Sequence, residues 1–509
     1  METAADLLAS DFAPLPALIA AHARERGDRI AVADDDGAID YATLDARMDR
    51  VAAALQRDGI APGTAIAIVA APSVDYACVF LGALRAGCVA APIAPSATPA
   101  SIAAMIADCR ARIVFVDDDN AAALAGEDLP ARRVRFGADF AAWLALADAR
   151  PLPVATAPDD GFNIIYSSGT TGTPKGIVQS HAMRWAHISR NAAAGFDRAV
   201  TMLATPLYSN TTLVSFLPTL GWGGTAVVMK KFDARRFLEL AERHRATHTM
   251  LVPVQYQRIM ALPDFDRFDL TSFRLKTSTS APFAAAVKAD VVKRWPGLLI
   301  EYYGMTEGGA STGLNATEFP DKLHTVGRPL PGHEIRLIDD DGNEVGPGGT
   351  GEVVGRSRTM MTGYFGRDTA TRDAEWYDAD GNRYIRHGDV ARFDDDGFLI
   401  LLDRKKDMII SGGYNIYPSD LEAILARHPA VADCTVVGAP SEAWGETPVG
   451  FYVPRGDAAD DAGAILAWLN AQVGKTQRLA ALHPADELPR SAIGKVLKRE
   501  LRDRLVGAA

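Results

Sequence analysis

At 509 residues the chain exceeds what one ordinary hydrophobic core organises, and two or more domains are expected. Charged residues make up 23% and apolar residues 48%, which excludes wholesale disorder. The net charge of −11 excludes the basic face of a nucleic-acid binder, while small anionic ligands stay open because local charge decides their binding.

Residues 1–14 carry Glu2, Asp6 and Asp11 and lack the basic start and apolar core of a secretion signal. The most apolar stretch, residues 76–95, is broken by Arg85 and contains Gly82 and Gly87. It reads as a buried helix running into a strand, so no membrane span is expected and the cytoplasm is the expected location. Cys78, Cys88, Cys109 and Cys434 lie far apart with no metal-ligand spacing and are expected as reduced thiols.

Short apolar runs then alternate with helical patterns. Residues 66–71, 89–93, 113–116, 225–229, 249–252 and 298–302 read as strands, and residues 74–85 as a helix. This alternation predicts an α/β fold with mainly parallel sheets. After about Leu323 the texture changes to short strands between Asp/Gly turns, such as Asp339-Asp340-Asp341-Gly342 and Asp394-Asp395-Asp396-Gly397, which predicts an antiparallel, barrel-like β region. A charged knot at Asp403-Arg404-Lys405-Lys406-Asp407 precedes about one hundred residues with their own alternation, expected as a small α+β domain.

One loop carries the clearest chemistry. In Tyr166-Ser167-Ser168-Gly169-Thr170-Thr171-Gly172-Thr173-Pro174-Lys175-Gly176, glycines let backbone N–H groups turn inward onto an anion, hydroxyls add donors, and Lys175 adds a point charge. It is not a Walker A loop, because Pro174 separates Thr173 from Lys175 and Gly176 follows the lysine. Two other patterns compete less well. Gly309-Ala310-Ser311-Thr312-Gly313 has hydrolase-elbow spacing, but the preceding strand ends at Tyr303-Gly304. Gly221-Trp222-Gly223-Gly224-Thr225-Ala226 precedes a strand instead of following one, so it fails as a dinucleotide fingerprint.

The loop resembles the phosphate loop of the adenylate-forming superfamily, which includes acyl- and aryl-CoA synthetases, and further motifs of that family follow in order. Ser280-Ala281-Pro282 resembles its adenine wall. Tyr302-Tyr303-Gly304-Met305-Thr306-Glu307 resembles its YGxTE motif, which implies Tyr303 against adenine, Thr306 at the α-phosphate and Glu307 at the magnesium carried with ATP. Gly304 and Met305 fall within the same ATP/AMP contact. Tyr384-Ile385-Arg386-His387-Gly388-Asp389 resembles YRTGD, with His387 replacing the usual threonine and Asp389, aided by Arg404, placed at the ribose. Lys406 matches the hinge, dividing the chain into an AMP-binding domain, 1–405, and a mobile domain, 406–509. Ser411-Gly412-Gly413-Tyr414 resembles the turn used for thioesterification, and Pro489-Arg490-Ser491-Ala492-Ile493-Gly494-Lys495 the segment carrying the catalytic lysine.

The resemblance implies a ligase that converts a carboxylic acid and ATP into acyl-AMP and pyrophosphate, then transfers the acyl group to CoA, with Mg2+ as the accompanying ion. It places Tyr208, Ser209, Asn210, Gln255, Thr279 and Gly304 near the acid, with Thr211 as a further candidate and Ser209 where many relatives have histidine. The acid itself stays open among aromatic, branched and medium-chain types. No carrier-protein domain follows Lys495, so CoA is the expected acceptor; loading of a separate carrier protein is the alternative, and ester hydrolysis by Ser311 a distant one. A homodimer is left open, as is a lysine acetyltransferase acting on Lys495, which would remove the charge the first step uses.

Overall fold

The computed structural model describes residues 2–167, 175–190, 194–411, 414–442, 444–456, 462–491 and 494–507. It divides into two compact units: Met1–Glu334 with Gly355–Ile385, and Ile335–Val354 with Arg386–Ala509.

The first unit holds two large, mainly parallel sheets. One runs in the order Gly363–Tyr364, Lys175–Ser180, Gly161–Ser167, Val89–Pro92, Ala65–Val69, Ile113–Val116, Arg132–Arg135. Ala65–Val69 and Ile113–Val116 are buried along their whole length, as expected of parallel strands covered on both faces. The other sheet centres on parallel strands Val200–Leu203, His248–Leu251, Leu275–Ser278 and Leu298–Tyr303, in that spatial order. Helix Val74–Arg85 begins where the Ser73 hydroxyl accepts a hydrogen bond from the Tyr76 N–H, and nearly all of its residues are buried. Its all-round apolar character thus belongs to a protein interior. Among the described residues no helix is long and apolar enough to cross a membrane. All four cysteines are free thiols, three of them buried.

One buried ion pair tests how this unit is held. Lys288 Nζ lies 2.5 Å from Glu301 Oε2, and both side chains are almost wholly inaccessible. Lys288→Met leaves an uncompensated carboxylate in the interior and should destabilise the protein by about 3–5 kcal/mol. The double variant Lys288→Met/Glu301→Leu should recover most of that loss in a denaturant titration.

In the second unit, residues 335–338, 351–354 and 386–393 belong to strands that follow one another in a sheet, and Leu399–Arg404 pairs antiparallel with residues 389–393. Farther along, Val431–Ser441 and Gly445–Pro454 form a long antiparallel hairpin. Helices Pro418–Leu425 and Ala462–Asn470 supply Leu421, Leu425, Ile465 and Leu469 to a core with Ile409, Val436 and Tyr452. The α/β architecture, the antiparallel β region and the small α+β terminal body agree with the sequence. The expected division at residues 405 and 406 concerns rotation, and a hinge at Lys406 remains a proposal.

Candidate active site

The acid and adenine candidates share one topological origin. Parallel strands Val200–Leu203, His248–Leu251, Leu275–Ser278 and Leu298–Tyr303 lie side by side. Just past their C-terminal ends come, respectively, Tyr208, Ser209 and Asn210; Gln255; Thr279 to Pro282; and Gly304 to Glu307. Crevices outside the carboxyl ends of parallel strands are where α/β sheets bind ligands.

The phosphate loop joins strands Gly161–Ser167 and Lys175–Ser180, which pair antiparallel with Ser167 opposite Lys175. Ser168, Gly169, Thr170, Thr171, Gly172 and Thr173 lie outside the described residues. At the loop's exit, Lys175 Nζ sits 5.0 Å above the ring centroid of Tyr364. The Tyr364 hydroxyl donates a 2.9 Å hydrogen bond to Glu307 Oε1. Burial and the neighbouring Glu307 carboxylate push the Tyr364 phenol well up, so it stays a donor. A lysine and a carboxylate from distant motifs therefore meet on one tyrosine. The turn bearing Glu307 is pressed against the chain: the Met361 N–H donates to the Glu307 carbonyl at 2.8 Å. Gly308 has φ +82°, and a Cβ there would lie 1.7 Å from the Thr359 carbonyl oxygen, so only glycine fits.

Behind this turn lies a polar cluster that the sequence reading missed. Arg184, in helix His181–Ser189, is fully buried. Its Nε donates to Asn163 Oδ1 at 2.9 Å, one terminal nitrogen to Asn210 Oδ1 at 2.8 Å, and the other to Gln179 Oε1. Asn163 Nδ2 donates to Gln179 Oε1 at 2.8 Å, and Gln179 Nε2 to the Thr306 carbonyl at 2.7 Å. Burial lowers the Arg184 pKa to about 9, which leaves it cationic at neutral pH. The available signal was an arginine three residues from His181 and four from Ile188, both buried, placing it on the inward stripe of a short helix.

The acyl candidates divide by what they touch. Ser209 caps helix Asn210–Gly221 by accepting from the Thr211 N–H at 3.2 Å. Thr211 Oγ1 and Ser280 Oγ lie 2.5 Å apart. Ser280 holds φ +83°, a left-handed conformation costly for a residue with a Cβ, at the start of the adenine-wall motif. Gln255 is committed to backbone at both ends: Oε1 accepts from the Val252 N–H and Nε2 donates to the Ala204 carbonyl. Tyr208 is partly buried, and burial raises its phenol pKa. Thr279 and Gly304 are also partly buried. Ser311 enters strand Thr312–Asn315, not a helix, and its backbone N–H donates to His333 Nδ1 at 2.9 Å. That arrangement lacks the strand–turn–helix geometry of a hydrolase elbow.

Within the second unit, Asp389 and Arg404 are register partners on adjacent strands, with Arg404 Nε 3.3 Å from Asp389 Oδ1. His387, two residues earlier on the same strand, is buried, and desolvation pushes its pKa down to about 4. It is neutral at physiological pH. Lys406 is exposed, while the next residue, Asp407, is held by Arg502 at 3.0 Å. Gly412 and Gly413 lie outside the described residues; Tyr414 is 63% exposed. Lys495 is exposed at the end of a closed loop: the Ser491 N–H donates to the Lys495 carbonyl at 2.8 Å, and the Lys495 N–H donates to Ser491 Oγ at 3.2 Å. Arg490 fastens that loop to Asp433 at 2.6 Å.

A family model described as AMP-binding enzyme matches residues 19–365, and one described as AMP-binding enzyme C-terminal domain matches residues 420–495. The chain belongs to the AMP-binding enzyme family. This is the adenylate-forming superfamily, and the chain falls on its acyl- and aryl-CoA synthetase branch of AMP-forming acid–thiol ligases. It is 33% identical to a feruloyl-CoA synthase of Amycolatopsis sp, covering 93% of this chain and 95% of the relative. It is 30% identical to the fatty acid–[acyl-carrier-protein] ligase ScoC of Streptomyces coeruleorubidus, covering 96% and 95%. Among solved structures, ATP-bound MatB from Rhodopseudomonas palustris matches with TM-score 0.84 and 28% identity over 97% of this chain and 99% of that one. The amide bond synthetase McbA from Marinactinospora thermotolerans matches with TM-score 0.85 and 27% identity, covering 96% and 100%.

Proposed function

We propose that this enzyme activates a carboxylic acid with ATP and hands the acyl group to the thiol of CoA. The observation that carries the reading is the convergence of Lys175 and Glu307 on Tyr364, beside the exit of the phosphate loop. A fixed cation and a fixed carboxylate at one loop suit a polyphosphate and the ion travelling with it. Among the described residues there is no cluster of three or more metal-ligating side chains. Glu307 is the carboxylate that would hold the ion accompanying the polyphosphate. When bound, Mg2+ neutralises charge on those oxygens.

In the first half-reaction an oxygen of the acid attacks the α-phosphorus, the Pα–O bond to the β-phosphate breaks, and pyrophosphate leaves. Lys175 holds the outer phosphates, Thr306 the α-phosphate, and Asp389 with Arg404 the ribose. Tyr303 and residues Ser280 to Pro282 flank adenine, and Lys495 stabilises charge at the reacting oxygens. In the second, the thiolate sulfur attacks the acyl carbon and AMP departs with the C–O electron pair. Movement about Lys406 withdraws Lys495 and brings the turn at Gly412, Gly413 and Tyr414 into use. Asn210, Ser209 and Thr211 border the acid.

The names of the relatives support CoA as acceptor, and ScoC supports a carrier protein as the second reading. The test offers ferulate, indoleacetate and a long-chain fatty acid, each with ATP and Mg2+. The acceptors are CoA, a phosphopantetheinylated carrier protein and a simple amine. Pyrophosphate release coupled to acyl-CoA is the expected result. Pyrophosphate release with acylation only of the carrier, or only of the amine, would reassign the second step.

A further inference from the structure

We propose that Arg184 is a positioning residue that sets the polarity of a buried amide chain and so holds the nucleotide and acid sides of the site in register. This rests on the functional reading above. A buried guanidinium is costly unless its charge is met. Among the described residues no carboxylate lies within ion-pair distance of Arg184, and it donates instead to three carboxamide oxygens. A leucine or methionine would fill the same space without a desolvation cost, so the charge needs a reason.

The reason lies in donor chemistry. A guanidinium has only donors, so each amide it meets must turn its oxygen toward it. Asn163 then has its Nδ2 free to donate, and it does so to Gln179 Oε1. With Gln179 Oε1 occupied by two donors, its Nε2 must point the other way, and there it meets the Thr306 carbonyl. Thr306 directly precedes Glu307, whose carboxylate meets Tyr364 beside Lys175. On the opposite side, Asn210 Oδ1 is claimed by Arg184, which fixes the amide orientation at the start of helix Asn210–Gly221. One cation thereby fixes four segments: both strands flanking the phosphate loop, the Thr306 turn and the first residue of the acyl-side helix. Small displacements between such groups cost much in an in-line displacement.

Gln179→Glu separates this role from mere packing. A glutamate of the same length meets the Arg184 charge directly, so folding stability should hold or rise. It cannot donate to the Thr306 carbonyl, so the turn should lose its anchor. The expected result is an unchanged or higher melting temperature, with acid-dependent pyrophosphate release slowed roughly tenfold to a hundredfold. Thioester formation from the supplied acyl-AMP of the acid that wild type turns over should be little changed. The ATP-dependent rise in melting temperature, which needs no acid, should shrink. Arg184→Lys, which keeps charge but not the planar fork, should give the same split. A Gln179→Glu enzyme as fast as wild type overturns the inference, as does a variant that loses stability and both half-reactions together. A wild-type protein that neither releases pyrophosphate with the acid panel nor gains stability from ATP overturns the functional reading itself, and the inference with it.

Discussion

Lys495→Ala should slow acyl-AMP formation roughly a hundredfold to a thousandfold while leaving thioester formation from supplied acyl-AMP near the wild-type rate. The size follows from losing one charged group aimed at a developing anion, about 3–4 kcal/mol of transition-state stabilisation. The fold should tolerate the change. Lys495 is exposed, and its loop is held by backbone and by Arg490, which reaches Asp433 and the Gly494 carbonyl, none of which needs the lysine side chain. Pyrophosphate release measures the first half-reaction, and CoA consumption with purified acyl-AMP the second. Equal loss in both would sink the proposal that Lys495 serves one step and leaves for the other.

Glu307→Gln is the complementary change, because it removes charge and keeps shape. A glutamine can still accept the Tyr364 hydroxyl hydrogen bond through its amide oxygen, and the Glu307 backbone carbonyl keeps its bond from the Met361 N–H. Melting temperature should therefore move little. The missing negative charge should lower kcat/KM for ATP by about a hundredfold or more, with most of the loss relating to the divalent ion. Titrating Mg2+ at fixed ATP checks this: the variant should need far more ion to reach its own maximum. A variant with wild-type Mg2+ dependence would show that Glu307 serves only to hold Tyr364.

How far each residue was legible follows from the range of the interaction that places it. The helix expected at residues 74–85 and the strand at 113–116 appear at those bounds, because their apolar patterns are local and continuous. Strands expected at 249–252 and 225–229 are found at His248–Leu251 and Thr225–Val228; one-residue shifts at element ends are set by neighbours, not by local pattern. Asp389 and Arg404 were paired from their motifs, and the register of two adjacent strands brings them together.

The polar interior was different. Arg184, Asn163, Gln179 and Tyr364 carried no motif, since an isolated arginine or amide in a short helix or strand looks like any surface residue. Gln255 was expected near the acid from its place in the chain, while its bonds to the Val252 and Ala204 backbone, 3 and 51 residues away, emerged only in the structure. By itself the sequence determined the α/β class, the order of the nucleotide motifs and the family chemistry, because these depend on short strings and local periodicity. Only the tertiary structure decided that Lys175 and Glu307 share Tyr364, and that one buried cation orients the amides behind them. Those contacts join residues 5 to 189 positions apart, and hydrogen-bond direction within a buried cluster exists only once every partner is in place.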